Sequence, residues 1–91
     1  MTVKKLSPLE REDYLNSLLE KLRNQEITEG DVLATLRKNI LDMNQENYAA
    51  LVGLSRKTIS DIENDTGKQT LPVINSAFKP FGLKFGLQLR R

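Results

Sequence analysis

Arg56 and Lys57 follow Ser55 directly, and Ser60 and Asp61 come at helical spacing after them. A guanidinium and an ammonium only donate hydrogen bonds, a hydroxyl donates or accepts, and a carboxylate only accepts. One short helical face therefore holds groups suited to phosphates and the edges of bases rather than to bond-making chemistry. The chain has no histidine and no cysteine. The commonest general base, a cysteine nucleophile, a thiolate metal site and a disulfide framework are all missing. No nucleophile–base pair, metal cluster or phosphate-cradling glycine loop is present either, so no enzymatic activity, metal or cofactor is expected.

The elements that position these groups lie between Asn44 and Asn64, in NQENYAALVGLSRKTISDIEN. Tyr48, Ala49 and Val52 fall at helical spacing in the first half, Ile59 and Ile62 in the second. Asn44 and Ser55 stand where helix caps belong, each with a side-chain oxygen for an orphan backbone N–H. Gly53 permits the positive φ that ends a helix abruptly, and Ala49 is small enough for a second helix to cross closely. Two short helices joined by a tight turn make a helix-turn-helix, and its ligand is DNA. Arg56 and Lys57 add to this. A helix N-terminus is partially positive, so cations in its first turn cost a few tenths of a kcal/mol each, roughly. That placement makes sense where the helix end meets phosphates and acceptor-rich base edges. The alternative is a pair of solvated surface charges.

Ninety-one residues make one small domain, enough for an all-helical core. Hydrophobic residues are 38% and aromatic residues 5% of the chain, lean for a lone monomer and pointing to burial between subunits. Net charge is +2, and its distribution is more telling than its size. Residues 1–40 balance seven Lys/Arg against seven Asp/Glu, whereas residues 41–91 hold seven against five, so cations prevail in the half with the motif. No signal peptide or membrane-length apolar run is seen, and the cytoplasm, in association with the nucleoid, is the expected location.

Upstream, Ser7-Pro8-Leu9-Glu10 spells a helix start: a Ser cap, Pro at the first helical position and Glu three residues after the cap. Leu15, Leu18, Leu19 and Leu22 then follow the helical template, which predicts a helix from about Pro8 to Asn24. Its stripe is expected to cover the domain's own core; a docking surface for another protein is the alternative. Thr28 and Asp31 form a second capping box, with Ile27 and Val32 placed as a hydrophobic staple. Val32, Leu33, Leu36 and Ile40 give that helix a buried side, and a Lys38–Glu63 ion pair is expected to tie it to the second motif helix.

After the polar turn 65–69, Thr70 opens another short helix with Leu71, Ile74, Phe78 and Phe81 as its apolar stripe, distorted at its end by Pro80. Leu83, Phe85, Leu87 and Leu89 then alternate with polar residues or glycine, the period of a strand with one apolar face. No second strand is legible earlier in the chain. The simplest way to satisfy its backbone is pairing with the same strand of a second copy across a two-fold axis. A disordered tail is the competing reading.

The stretch Asn44–Asn64 resembles the XRE/Cro-type helix-turn-helix of phage repressors, and the wider span from Lys38 to the terminal strand looks like HipB-type antitoxins. The residues that carry the likeness are Gln45, Ala49, Gly53, Thr58-Ile59-Ser60, Glu63-Asn64 and Thr70-Leu71. It covers roughly the last 60 residues. The resemblance implies a mainly α, lambda-repressor-like helix-turn-helix bundle with a C-terminal β-strand paired between subunits; the extra N-terminal helix is an addition it does not explain. The expected division is residues 1–27 as an N-terminal helical extension, 28–82 as the DNA-binding domain and 83–91 as the dimerisation strand, built on Leu83, Phe85, Leu87 and Leu89.

The resemblance also implies roles for particular side chains. Asn44 and Gln45 would clamp a phosphate. Ser55, Arg56, Lys57, Thr58 and Ser60 would face the major groove with Asp61 beside them, and Asn64 and Lys68 would hold the backbone. Arg56 or Lys57 would donate to guanine, a contact worth about 1–3 kcal/mol of discrimination. Asp61 departs from the family by being acidic on the reading face, where it would accept from cytosine N4 or repel wrong sites. Asp42 departs from the family by standing where Gly is common. The partners so implied are a palindromic double-stranded operator, a second copy of the chain and a HipA-like kinase toxin whose operon this chain represses. A stand-alone regulator without a toxin, or a protein-interaction module that mainly neutralises the kinase, is the alternative.

Overall fold

The computed structural model describes residues 6–85, and every regular element among them is helical. Helix α1 is Pro8–Arg23, α2 Glu29–Asn39, α3 Gln45–Val52, α4 Arg56–Glu63 and α5 Leu71–Phe78, with a 3-10 turn at Lys79–Phe81. Among the described residues no helix is long and apolar enough to cross a membrane.

The helix starts form where their caps are spelled. Ser7 Oγ accepts from the Glu10 N–H at 3.2 Å while the Glu10 carboxylate accepts from the Ser7 N–H at 3.1 Å. Thr28 and Asp31 exchange the same two bonds at 3.1 and 3.0 Å. Asn44 caps α3 through the Asn47 N–H at 2.7 Å, and Ser55 caps α4 through the Thr58 N–H at 3.1 Å. Each such cap stabilises its helix by about 1 kcal/mol. Helix α3 stops at Gly53, whose φ of 74° lies in the left-handed region, and the Leu54 N–H closes the turn on the Ala49 carbonyl at 2.9 Å. Asp42 also takes a positive φ, 51°, so the turn before α3 uses Asp in a conformation that glycine adopts more readily.

The core draws on every helix: Leu18 of α1, Val32, Leu33 and Leu36 of α2, Tyr48 and Ala49 of α3, Ile59 and Ile62 of α4, and Ala77 and Phe78 of α5, closed by Phe81. Helix α4 packs on both α2 and α3, and α3 meets α5. The stripe of α1 covers this core, with Tyr14, Leu15 and Leu22 partly buried beside Leu18 and the Tyr14 hydroxyl accepting from Asn39 Nδ2 at 2.8 Å.

Two expectations for the C-terminal part are corrected. Leu71 is 48% exposed, because the buried side of α5 runs through Ile74, Ala77 and Phe78 instead. More important, residues 83–85 are not a strand. The Phe85 N–H donates to Asn75 Oδ1 at 2.7 Å, its carbonyl accepts from Asn75 Nδ2 at 3.4 Å, and its ring lies 5.0 Å from that of Phe78. A side chain of α5 thus satisfies the backbone groups that a neighbouring strand would otherwise bond. Leu83 likewise packs on the chain's own core. Leu87 and Leu89, the other half of the expected strand, lie outside the described residues.

Candidate nucleic-acid interface

Helix α4 divides into two faces by the spacing of its residues. Ile59 and Ile62 are buried, while Arg56 and Lys57 are exposed at its start. Arg56 makes no ion pair or side-chain hydrogen bond with the other described residues. The Lys57 ammonium reaches one turn along the helix to Asp61 Oδ2 at 2.9 Å. The arrangement leaves the Arg56 guanidinium at the exposed start of α4, where the helix dipole adds positive potential, with the Lys57 ammonium one turn along the same helix.

The remaining sequence-singled residues fall into two groups. Ser55, Thr58, Ser60 and Asn64 lie on α4 or at its ends and bond to one another: the Ser55 and Thr58 hydroxyls are 2.8 Å apart, and Asn64 Nδ2 donates to Ser60 Oγ at 3.3 Å. Asn44 and Gln45 start α3. Asn44 is occupied as a cap, and Gln45 Nε2 donates to Glu63 Oε1 at 2.9 Å, leaving its second N–H for another acceptor. Lys68 is exposed on the loop after α4.

The ion pair that holds α4 in place differs from the expected one. Lys38 is exposed and does not pair with Glu63; Arg37 does. Arg37 Nε donates to Glu63 Oε2 at 2.7 Å and Nη2 to Oε1 at 2.9 Å, while Nη1 donates to the Met43 carbonyl at 2.7 Å. The pair is almost fully buried, with 7% and 5% of the two side chains exposed. Arg37 follows Leu33 by four residues, so the helical template already puts it on the apolar face. Lys38, one residue later, points about 100° away.

Three further contacts were not legible beforehand. Asp65, with φ 56°, accepts from the Thr28 hydroxyl at 2.6 Å and from the Gly30 N–H at 3.0 Å, so the end of α4 caps the start of α2. Gly30 allows the approach: a Cβ there would lie 2.5 Å from the carbonyl oxygens of Ile62 and Glu63. The Tyr48 hydroxyl donates to the Ala77 carbonyl in the core, joining α3 to α5. Burial, and then the charge of Glu63, push the Tyr48 phenol well above its ordinary value, and Arg37 opposes this in part. Thr28 and Asp65 carried polar signals for such bonds, whereas nothing near Gly30 in the sequence marks a close approach.

Buried contacts on its inner side and loop contacts at its end thus fix α4 and leave its cationic start facing outward. Residues 33–87 match the family described as Helix-turn-helix, a span that takes in most of α2, all of α3 to α5 and the segment after the 3-10 turn. No curated protein and no solved structure matches the chain.

Proposed function

The chain belongs to the XRE-type helix-turn-helix family, and on that premise we propose that it is a sequence-specific repressor that lays α4 in the major groove of a palindromic operator as a homodimer. The family makes it a DNA-binding regulator. The observation that carries the finer statement is the exposed, cationic start of α4, where folding by itself would favour acidic residues. Arg56 and Lys57 donate to base acceptors or phosphates, Gln45 offers its free N–H to a phosphate at the start of α3, and Asn64 and Lys68 hold the backbone further along. Half-sites about one helical turn apart, or a multiple of it, fit a two-fold dimer. The lean hydrophobic composition supports a second copy, and the apolar residues after Phe85 in the sequence, Leu87 and Leu89, are the candidates for its contact.

The physiological role we propose is that of an antitoxin that represses its own operon and neutralises a HipA-like kinase. Its support is the resemblance in the sequence from Lys38 onward. The protein acts on DNA in the cytoplasm, without catalysis of its own and without a cofactor.

Gel shifts with the region upstream of its own operon, with and without the neighbouring gene product, test both parts. Arg56→Ala and Lys57→Ala are each expected to weaken specific binding by about five- to a hundredfold with the fold intact; unchanged affinity removes α4 as the reading element. An adjacent kinase-like gene whose product alters the shift supports the antitoxin role, and a solitary gene argues for a plain regulator. Removal of the residues after Phe85 is expected to turn dimer into monomer in sedimentation. A dimer that persists places the interface elsewhere.

A further inference from the structure

Helix α4 carries its charges in the order its own dipole disfavours. Cations occupy its first turn, and Asp61 lies in its last, with no acidic residue in the first turn and no basic residue in the last. The Lys57–Asp61 pair shares this reversed order, with the cation N-terminal to the anion, and at the surface such a pair adds little to stability. Neither charge is placed where folding would choose it.

The two partners also differ in freedom. The Lys57 side chain is 84% exposed and that of Asp61 28%. Around Asp61 the chain folds back: the Thr66 N–H donates to the Asp61 carbonyl at 2.8 Å, and the Thr66 hydroxyl donates to the same oxygen at 3.3 Å. Those bonds hold the Asp61 backbone; its carboxylate is the less exposed partner, one turn after the cationic start of α4, and Lys57 is a long arm that rests on it.

We infer that Asp61 is a specificity-determining residue that restrains Lys57 in the free protein and accepts only a DNA site presenting an exocyclic amino group in its place. The inference rests on the DNA-binding role proposed above. A carboxylate has nothing to donate. In the major groove only cytosine N4 and adenine N6 offer it a hydrogen, whereas guanine O6 and N7 and thymine O4 are acceptors that repel it. On non-cognate DNA, Lys57 stays on Asp61 and gives up a phosphate contact, because its departure would leave the carboxylate unpaired against an anionic surface. On a cognate site Lys57 turns to an acceptor while an amino group takes its place at Asp61. The acidic residue thus lowers affinity everywhere except at sites of the right pattern.

The test uses the full chain and its Asp61→Ala and Asp61→Asn variants, with duplexes selected from a library of randomised sequence. Wild-type protein is expected to enrich a motif with cytosine or adenine at one position of each half-site, and Asp61→Ala a motif degenerate at that position. The ratio of affinities for the selected and a scrambled duplex should fall about tenfold in Asp61→Ala. The gain for the scrambled duplex should come with a log-affinity against log-salt slope steeper by about one phosphate contact, ~0.9. Asp61→Asn, which keeps the shape and loses the charge, should show the same salt effect. An unchanged motif and ratio in both variants overturns the role of Asp61. Failure of the wild-type chain to enrich any duplex overturns the DNA-binding proposal itself.

Discussion

Arg37 and Glu63, 26 positions apart, meet through two parallel hydrogen bonds in the interior and so join the middle of the bundle to the last residue of α4. Gln45 bonds the same carboxylate, which ties the start of α3 to that buried group as well. Removal of one member leaves the other charge buried without a partner. Glu63→Ala is therefore expected to cost about 3–5 kcal/mol in urea unfolding, and Arg37→Met together with Glu63→Leu far less than the two single changes combined. Additive losses in the double variant would mean that the pair contributes no coupling.

Gly30 reverses an ordinary propensity. Alanine in a helix is favoured over glycine by about 1 kcal/mol. Here the added methyl would meet backbone carbonyls of α4, which cannot swing aside as a side chain can. Gly30→Ala should destabilise the protein by about 1–3 kcal/mol in thermal unfolding and weaken DNA binding, since relief of the clash requires α4 to shift. A gain in stability would show that the two helices separate without cost.

Tyr48 gives the protein an alkaline limit. Its phenol pKa is raised on folding, so its contribution to stability is full below the ordinary tyrosine value of about 10 and is lost as pH rises from there toward the folded value. Wild-type stability should fall above about pH 10 in denaturant titrations. Tyr48→Phe should cost about 1–3 kcal/mol at neutral pH, because the Ala77 carbonyl loses its hydroxyl donor, and should show a smaller alkaline decline. An equal decline in both proteins would assign the effect to other groups.

Asn75 fastens the end of the described chain. Asn75→Ala removes both bonds to Phe85 and is expected to cost about 0.5–1.5 kcal/mol for each. Amide exchange at Phe85 should accelerate in the variant. Protection that persists would mean that the Phe85 N–H is held by something other than Asn75, a paired strand included.

Much of the fold was legible in the sequence because helix starts and stops are written within a few residues. The Ser7–Glu10 and Thr28–Asp31 boxes, the Asn44 and Ser55 caps and the left-handed Gly53 all appear as spelled. The outward placement of Arg56 and Lys57 was legible for the same reason, since Ile59 and Ile62 fix which side of α4 faces in. The alternation at 83–89 was a weaker signal. It describes a face and not a partner, and at Phe85 the partner is Asn75 of the same chain.

The sequence by itself determined where each helix begins, which stripe it buries and that a cationic tip follows a tight turn. All of these depend on contacts three or four residues apart and on the 3.6-residue period. Tertiary structure alone decided that Arg37 and not Lys38 reaches Glu63, that Gly30 admits the carbonyls of α4, and that Asp65 closes on the first turn of α2. Each of those outcomes turns on the angle and distance between two helices, and one residue of rotation is enough to exchange a buried partner for a solvated one.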